Sequence, residues 1–141
     1  MTTTKILHLM SKKIYRLLVS GWRELPPIGF VEDKLKERYW QILSEDDAYE
    51  VEIVVGDAWG VDKVIRDWCK LNGIKHKVFY ADWNGFGRAA GPIRNKEMID
   101  YSLEADAYEL FAFPHRTSIG TKDMIEQCYS VGINVTKFEI L

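Results

Sequence analysis

Residues 51–74 read VEIVVGDAWGVDKVIRDWCKLNGI, and this stretch decides the fold. Val51 to Val55 is a short apolar, β-branched run stopped by Gly56, the pattern of a buried strand. After the turn Gly56-Asp57-Ala58-Trp59-Gly60, apolar residues recur at Val61, Val64, Ile65, Trp68 and Cys69, the spacing of one helix face. That predicts a helix over about 60–71. Gly73 ends it as a left-handed C-cap, and Ile74 leads at once into the next strand, 75–80. Strand, glycine turn, helix, glycine, strand is a βαβ unit, which implies parallel strands.

The same order recurs on either side. Upstream, Ile14 to Val19 is a strand closed by Ser20-Gly21, and Pro26-Pro27 breaks the chain. Ile28, Val31, Leu35, Tyr39 and Ile42 then predict a helix ending near Leu43, with 44–50 as a polar turn. Downstream, 81–90 reads as a loop, long enough and rich enough in Gly and Ala to suggest a functional one. A helix starts near Pro92 and runs to about Leu103, followed by a strand at Ala107 to Phe113. Another helix starts near Ser118, with Met124, Ile125, Cys128 and Tyr129 on one face. Val131-Gly132-Ile133 repeats the glycine junction, and 133–140 is the last strand. The fold class expected is therefore α/β: a single Rossmann-like, doubly wound, mainly parallel five-stranded sheet with helices on both faces. Residues 1–12 read as a loose leader and 13–141 as one domain.

Composition sets bounds on function. The chain has 141 residues, enough for one domain, and 47% are hydrophobic, which argues against disorder. The formal net charge is -2, against the basic excess that a phosphate-backbone footprint needs, so nucleic acid is not an expected partner. No apolar run approaches a membrane span and no signal-peptide core is present, so a cytoplasmic protein is expected. Cys69 and Cys128 fall on apolar helix faces and form no zinc-type cluster. They read as buried reduced thiols. No metal and no cofactor are expected.

In an open α/β sheet, the turns after the strands lie at the carboxyl end, where ligands bind. Four such turns carry the candidate residues. In the first, Gly21 permits positive φ or a close approach, beside Trp22, Arg23 and Glu24; Arg23 offers a fork to an anion. In the second, Gly56 and Gly60 flank Asp57. A glycine turn entering a helix suits a phosphate, whereas Asp57 as an N-cap would occupy the dipole itself; both readings stand. Asp62 is a first-turn acid expected on dipole grounds alone. The third runs from Asp82-Trp83 through Arg88 to Gly91, Arg94 and Asn95. Two arginines with small residues between them are able to converge on one anion. The fourth runs from Pro114 through His115 to Ser118, Gly120 and Thr121, with Ser118 either an N-cap or a phosphate contact. Trp22, Trp59 and Trp83 lie in these turns and suggest stacking on a planar group, or walls for the crevice; Trp40 and Trp68, on helices, read as packing residues.

Several of these pieces together resemble the YspA-type, YpsA-related branch of the SLOG superfamily, over about residues 14–138. They are Ser20-Gly21-Trp22-Arg23-Glu24, Gly56-Asp57-Ala58-Trp59-Gly60-Val61-Asp62, Ala81-Asp82-Trp83, Gly91-Pro92-Ile93-Arg94-Asn95 with Met98, and Ala112-Phe113-Pro114 through Gly120-Thr121. Relatives in that superfamily include LOG-type phosphoribohydrolases and DprA. The resemblance implies a crevice for a nucleotide or nucleotide-derived ligand, a role in phage–bacteria conflict and a homo-oligomer. It also exposes departures. Trp22 stands where the family has a small residue, Asp57 and Trp59 replace a glycine and an arginine, and His115 and Arg116 replace two glycines. LOG enzymes carry a catalytic Glu three residues after Gly-Thr; this chain has Met124 there, and Glu126 lies two positions further, on another helix face.

Three functions follow in order of preference. The first is binding, to sense or sequester a nucleotide-type ligand. The second is an N-glycoside hydrolase acting on a nucleoside monophosphate or NAD-derived compound, which needs a carboxylate at the reacting sugar; Glu24, Asp57 and Asp82 are candidates, with Arg94. The third is DprA-like single-stranded DNA binding, which the charge disfavours.

Overall fold

The computed structural model describes residues 12–141, so the expected leader falls almost wholly outside it. Five strands form one all-parallel sheet: β1 (Lys13–Gly21), β2 (Tyr49–Gly56), β3 (His76–Phe79), β4 (Ala107–Phe113) and β5 (Val135–Lys137). Their order is β3-β2-β1-β4-β5. The helices between them are α1 (Phe30–Glu45), α2 (Val61–Asn72), α3 (Trp83–Phe86), α4 (Ala90–Leu103) and α5 (Ile119–Ser130), with a 3₁₀ turn at Gly87–Ala89.

The strand pattern explains the two layers of helices. Alternate residues of a strand point to opposite faces, so Leu17, Val19, Ile53 and Val55 face α1 and α2. They pack there against Val31, Leu35, Ile42, Val61, Ile65 and Cys69. Leu18, Val54, Leu110 and Ala112 face the other way, onto Met98, Ile99, Met124, Ile125 and Cys128 of α4 and α5. Each fully buried aliphatic side chain contributes about 1.5–3 kcal/mol from leaving water. This is the doubly wound architecture expected from the sequence. The chain winds outward from β1 to β3, then returns to the far side of β1 to place β4. The strand order reverses there, and a crevice opens between the ends of β1 and β4.

Two polar clamps hold the opposite end of the sheet. Arg16 pairs with Glu52 at 2.9 Å and lies 3.7 Å from the Tyr101 ring centroid. The Tyr15 hydroxyl donates to Glu109, which Arg38 also holds at 2.7 Å. Burial and the neighbouring carboxylate push the Tyr15 hydroxyl up to about 12, so it stays protonated as a donor.

Some boundaries differ from expectation. Residues 81–90 are not simply loop: Asp82 accepts from the Gly85 N–H at 2.9 Å and starts the one-turn helix α3. Ile28 lies outside α1 and is fully exposed, because the helix begins after Gly29. Tyr49 and Glu50 belong to β2 rather than to the preceding turn. The ladder of β5 is shorter than expected, although Phe138 and Ile140 still donate to Ala112 and Pro114. Helix α4 starts at Ala90, which puts Pro92 in the first turn, where no intrahelical N–H is needed. Trp40 is 59% exposed and is not a packing residue, whereas Trp68 packs against the core. Both cysteines are buried, and burial pushes each thiol up to about 12. No helix among the described residues is long and apolar enough to cross a membrane.

Candidate functional site

The crevice at the β1/β4 switch is a cleft of about 480 Å³. The first, third and fourth turns meet there. Ten of the residues expected from the sequence line it: Gly21, Trp22, Arg23, Trp83, Arg88, Gly91, Arg94, Ser118, Gly120 and Thr121. Arg94 and Thr121, far apart in the chain, share this one hollow. Glu24, a candidate carboxylate, also lines it.

The first turn is stitched in place by its backbone. The Trp22 N–H donates to Phe113 at the end of β4, and the Val61 N–H donates back to the Trp22 carbonyl. Gly21 is there for space rather than for positive φ, since a Cβ would lie 2.5 Å from the Val61 side chain. The Trp22 ring stacks on His115 at 4.3 Å between centroids. His115 is therefore packed against the first turn and lines the neighbouring hollow rather than the cleft.

Arg23 reaches across the cleft. It lies 5.1 Å from the Trp83 ring centroid, and its Nη2 is 4.0 Å from where a Cβ on Gly91 would sit and 3.8 Å from one on Gly120. Gly91 is in the first turn of α4 and Gly120 in the first turn of α5. A guanidinium thus stands at the positive ends of two helix dipoles, an arrangement that repels unless an anion joins it. Neither Arg23 nor Arg88 has a carboxylate partner among the described residues. Thr121 is 2% exposed, lines the cleft, and its hydroxyl makes no hydrogen bond among the described residues. Of the first N–H groups of α5, that of Ile119 donates to the Thr117 carbonyl at 3.0 Å, whereas those of Gly120 and Thr121 lack intrahelical acceptors by geometry.

The second turn behaves differently. Gly56, Asp57 and Gly60 do not line the cleft. Asp57 is not the N-cap of α2; Gly60 holds that position with φ 77°. Asp57 instead pairs with Arg94 at 2.9 Å and accepts from the Ala81 N–H. Arg66 donates to the carbonyls of Gly56 and Ala58, and Asp62 accepts from the Ala58 N–H at 3.2 Å. The Asp57 carboxylate, the Ala58 N–H and the carbonyls of Gly56 and Ala58 are thus engaged within the protein, and Asp57 is turned to Arg94 rather than to the cleft. A Cβ on Gly56 would lie 2.5 Å from Arg94 and 2.7 Å from Asp62, so this knot needs glycine for room.

Asp62 is buried, which pushes its carboxyl up to about 6; Arg94 and the Ala58 N–H pull the other way. It is more than a dipole-compensating acid, because it lines the cleft. Asp82 caps α3, and Asn95 donates to the Gly120 carbonyl at 3.2 Å and to Asp123 at 3.0 Å, so both support the site from outside its lining. Pro114 lines a neighbouring hollow with His115 and Arg116. Ser118 is the N-cap of α5 by position but caps nothing; its Oγ accepts from the His115 N–H at 2.9 Å. Trp59 lies outside the cleft, under Lys63. Met124 is fully buried in the core.

Ser20, Ala58, Asp62, Pro92, Thr117, Ile119 and Asp123 also line the cleft without having been candidates. Ser20, Pro92 and Ile119 directly neighbour candidate residues, which was a usable signal. Asp123 had none, because its side chain faces the cleft only through the orientation of α5. No group of three or more His, Cys, Asp or Glu among the described residues has the arrangement to hold a metal ion.

Among curated proteins, the chain is similar to the "Gene 61 protein" of Mycobacterium phage D29, at 30% identity over 107 residues that span 70% of this chain and 82% of that protein. The chain belongs to that protein's family. No family model matches the chain, and no solved structure matches it. The relative's name states no activity, so membership of this phage protein family leaves function to the geometry of the cleft.

Proposed function

We propose that the cleft binds a nucleotide or nucleotide-derived ligand through its phosphate, in the manner of the SLOG superfamily that the sequence resembles. One observation carries this reading: among the described residues Arg23 has no carboxylate partner and the Thr121 hydroxyl no hydrogen bond, and Arg23 stands between the N-termini of α4 and α5 in the same cleft as that hydroxyl. A phosphate there neutralises the guanidinium, both helix dipoles and free first-turn N–H groups at once. Arg88 supplies a second charge at the rim, and Trp83 an aromatic wall for the rest of the ligand. The protein would act as a binder, sensing or sequestering its ligand.

Isothermal titration with the four ribonucleoside 5′-monophosphates and with inorganic phosphate tests this. Saturable binding is expected, weakened about tenfold or more by Arg23→Ala, which removes a charge-assisted hydrogen bond worth about 1.5–3 kcal/mol. No heat from any of these, in either protein, would refute it. The hydrolase reading keeps Glu24 as a carboxylate in the cleft, while Asp57 is engaged by Arg94 and Asp82 by α3. Free base released on incubation, and abolished by Glu24→Gln, would move the assignment from binder to N-glycosidase.

A further inference from the structure

Asp123 has a partner arrangement unlike that of the other acids of the cleft. Its Oδ2 accepts from Asn95 Nδ2 at 3.0 Å and from Gln127 Nε2 at 2.8 Å. Both amides are anchored in turn: Asn95 donates to the Gly120 carbonyl at 3.2 Å, and Gln127 to the Pro92 carbonyl at 3.1 Å. Among the described residues, Oδ1 accepts no hydrogen bond, and no lysine or arginine pairs with the group. Two neutral donors fix the carboxylate without neutralising it, and leave one oxygen for whatever enters the cleft. Resting on the reading above, we propose that Asp123 is a specificity-determining acceptor that takes a hydrogen bond from a ribose hydroxyl of a nucleoside monophosphate.

Position and charge select that group. Asp123 follows Thr121 by two residues, about 3 Å along the helix axis and about 200° around it, so its side chain leaves α5 on another face, towards Asn95 of α4, while both residues still line the one cleft. With the phosphate at the first turn of α5, the next part of a nucleotide is its sugar, not its base. A carboxylate there repels a second phosphate and demands a neutral donor, which the sugar diol provides. The cleft would therefore favour ribonucleoside monophosphates over deoxy analogues and over ligands with a second anionic group near the sugar.

The test compares ribonucleoside 5′-monophosphates with their 2′-deoxy and 3′-deoxy analogues by isothermal titration, on wild type and on Asp123→Asn. Wild type is expected to prefer the ribonucleotide about tenfold over at least one analogue, the worth of one hydrogen bond to a charged group. The variant is expected to lose that preference while binding inorganic phosphate at least as well as wild type. A preference that survives in the variant, or no preference in wild type, overturns this proposal and leaves phosphate binding intact. Failure of wild type to bind any monophosphate overturns both. Should the variant not fold, the analogues on wild type decide alone.

Discussion

At the scale of single residues, the charges of the cleft divide into those already spent and those still free. Arg94 is spent: it is buried, with Asp57 at 2.9 Å and Asp62 across Gly56. Arg23 and Arg88 are free of carboxylate partners among the described residues. Asp62 gives the spent set a pH signature. Its carboxyl titrates near 6 in the fold against an ordinary 3.8, chiefly through burial. The folded protein therefore holds this proton more tightly than the unfolded chain. The stabilisation from this group is complete below about pH 4 and is lost as pH rises through 6. The linkage amounts to about 2 kcal/mol between roughly pH 4.5 and 7.5. Asp62→Asn, which cannot ionise, should gain on wild type by that amount over the interval, measured by urea unfolding at both pH values. A gap that does not change with pH would show that Asp62 titrates normally.

At the scale of elements, the entry to α2 supports the first turn. Gly60 has φ 77°, and a Cβ there would lie 2.5 Å from the carbonyl oxygens of Trp22 and Glu24. Gly73, at the other end of the same helix, has φ 63° with nothing within 4 Å of a Cβ. Gly73→Ala should thus cost only the left-handed strain, about 1–2 kcal/mol. Gly60→Ala should cost clearly more and also displace Arg23, weakening phosphate binding; chemical denaturation and titration check the two effects. Equal costs would mean that the turn yields freely. Elements with a strong period were legible in the sequence: β4 matches its expected span, and α2 lies within a residue of its expected bounds at each end. Helix α3 was not, because four residues cannot show a helical period and Gly85 and Gly87 read as loop. The site was legible where residues sit in glycine turns. It was illegible where a helix must be oriented, as for Asp123, and where a turn side chain is taken by a residue distant in sequence, as Asp57 is by Arg94.

At the scale of the whole molecule, the strand order explains why turns distant in sequence share one cleft. Between β1 and β4, where the strand order reverses, the helices that follow the two strands depart to opposite faces, leaving the first turn beside the N-termini of α4 and α5. A site assembled this way should trade little stability for its function. Arg23 is exposed and carries a contact with the Trp83 ring worth about 0.5–1 kcal/mol, offset by repulsion of about 0.3–1 kcal/mol from each helix end. Arg23→Ala should therefore leave the thermal midpoint of the free protein within a few degrees of wild type. Arg94→Ala removes the partner of the half-buried Asp57 and the cation beside Asp62, and should cost about 2–3 kcal/mol, below the loss for a fully buried pair because Asp57 reaches water and Asp62 can take up a proton. Ligand separates the two roles further. At about a hundred times its dissociation constant, a bound monophosphate should stabilise wild type by about 2.7 kcal/mol, and Arg23→Ala hardly at all at the same concentration. Thermal unfolding of the three proteins, with and without the monophosphate, measures this. If Arg23→Ala were as unstable as Arg94→Ala, Arg23 would be a structural arginine, and the cleft would lose the charge on which its ligand depends.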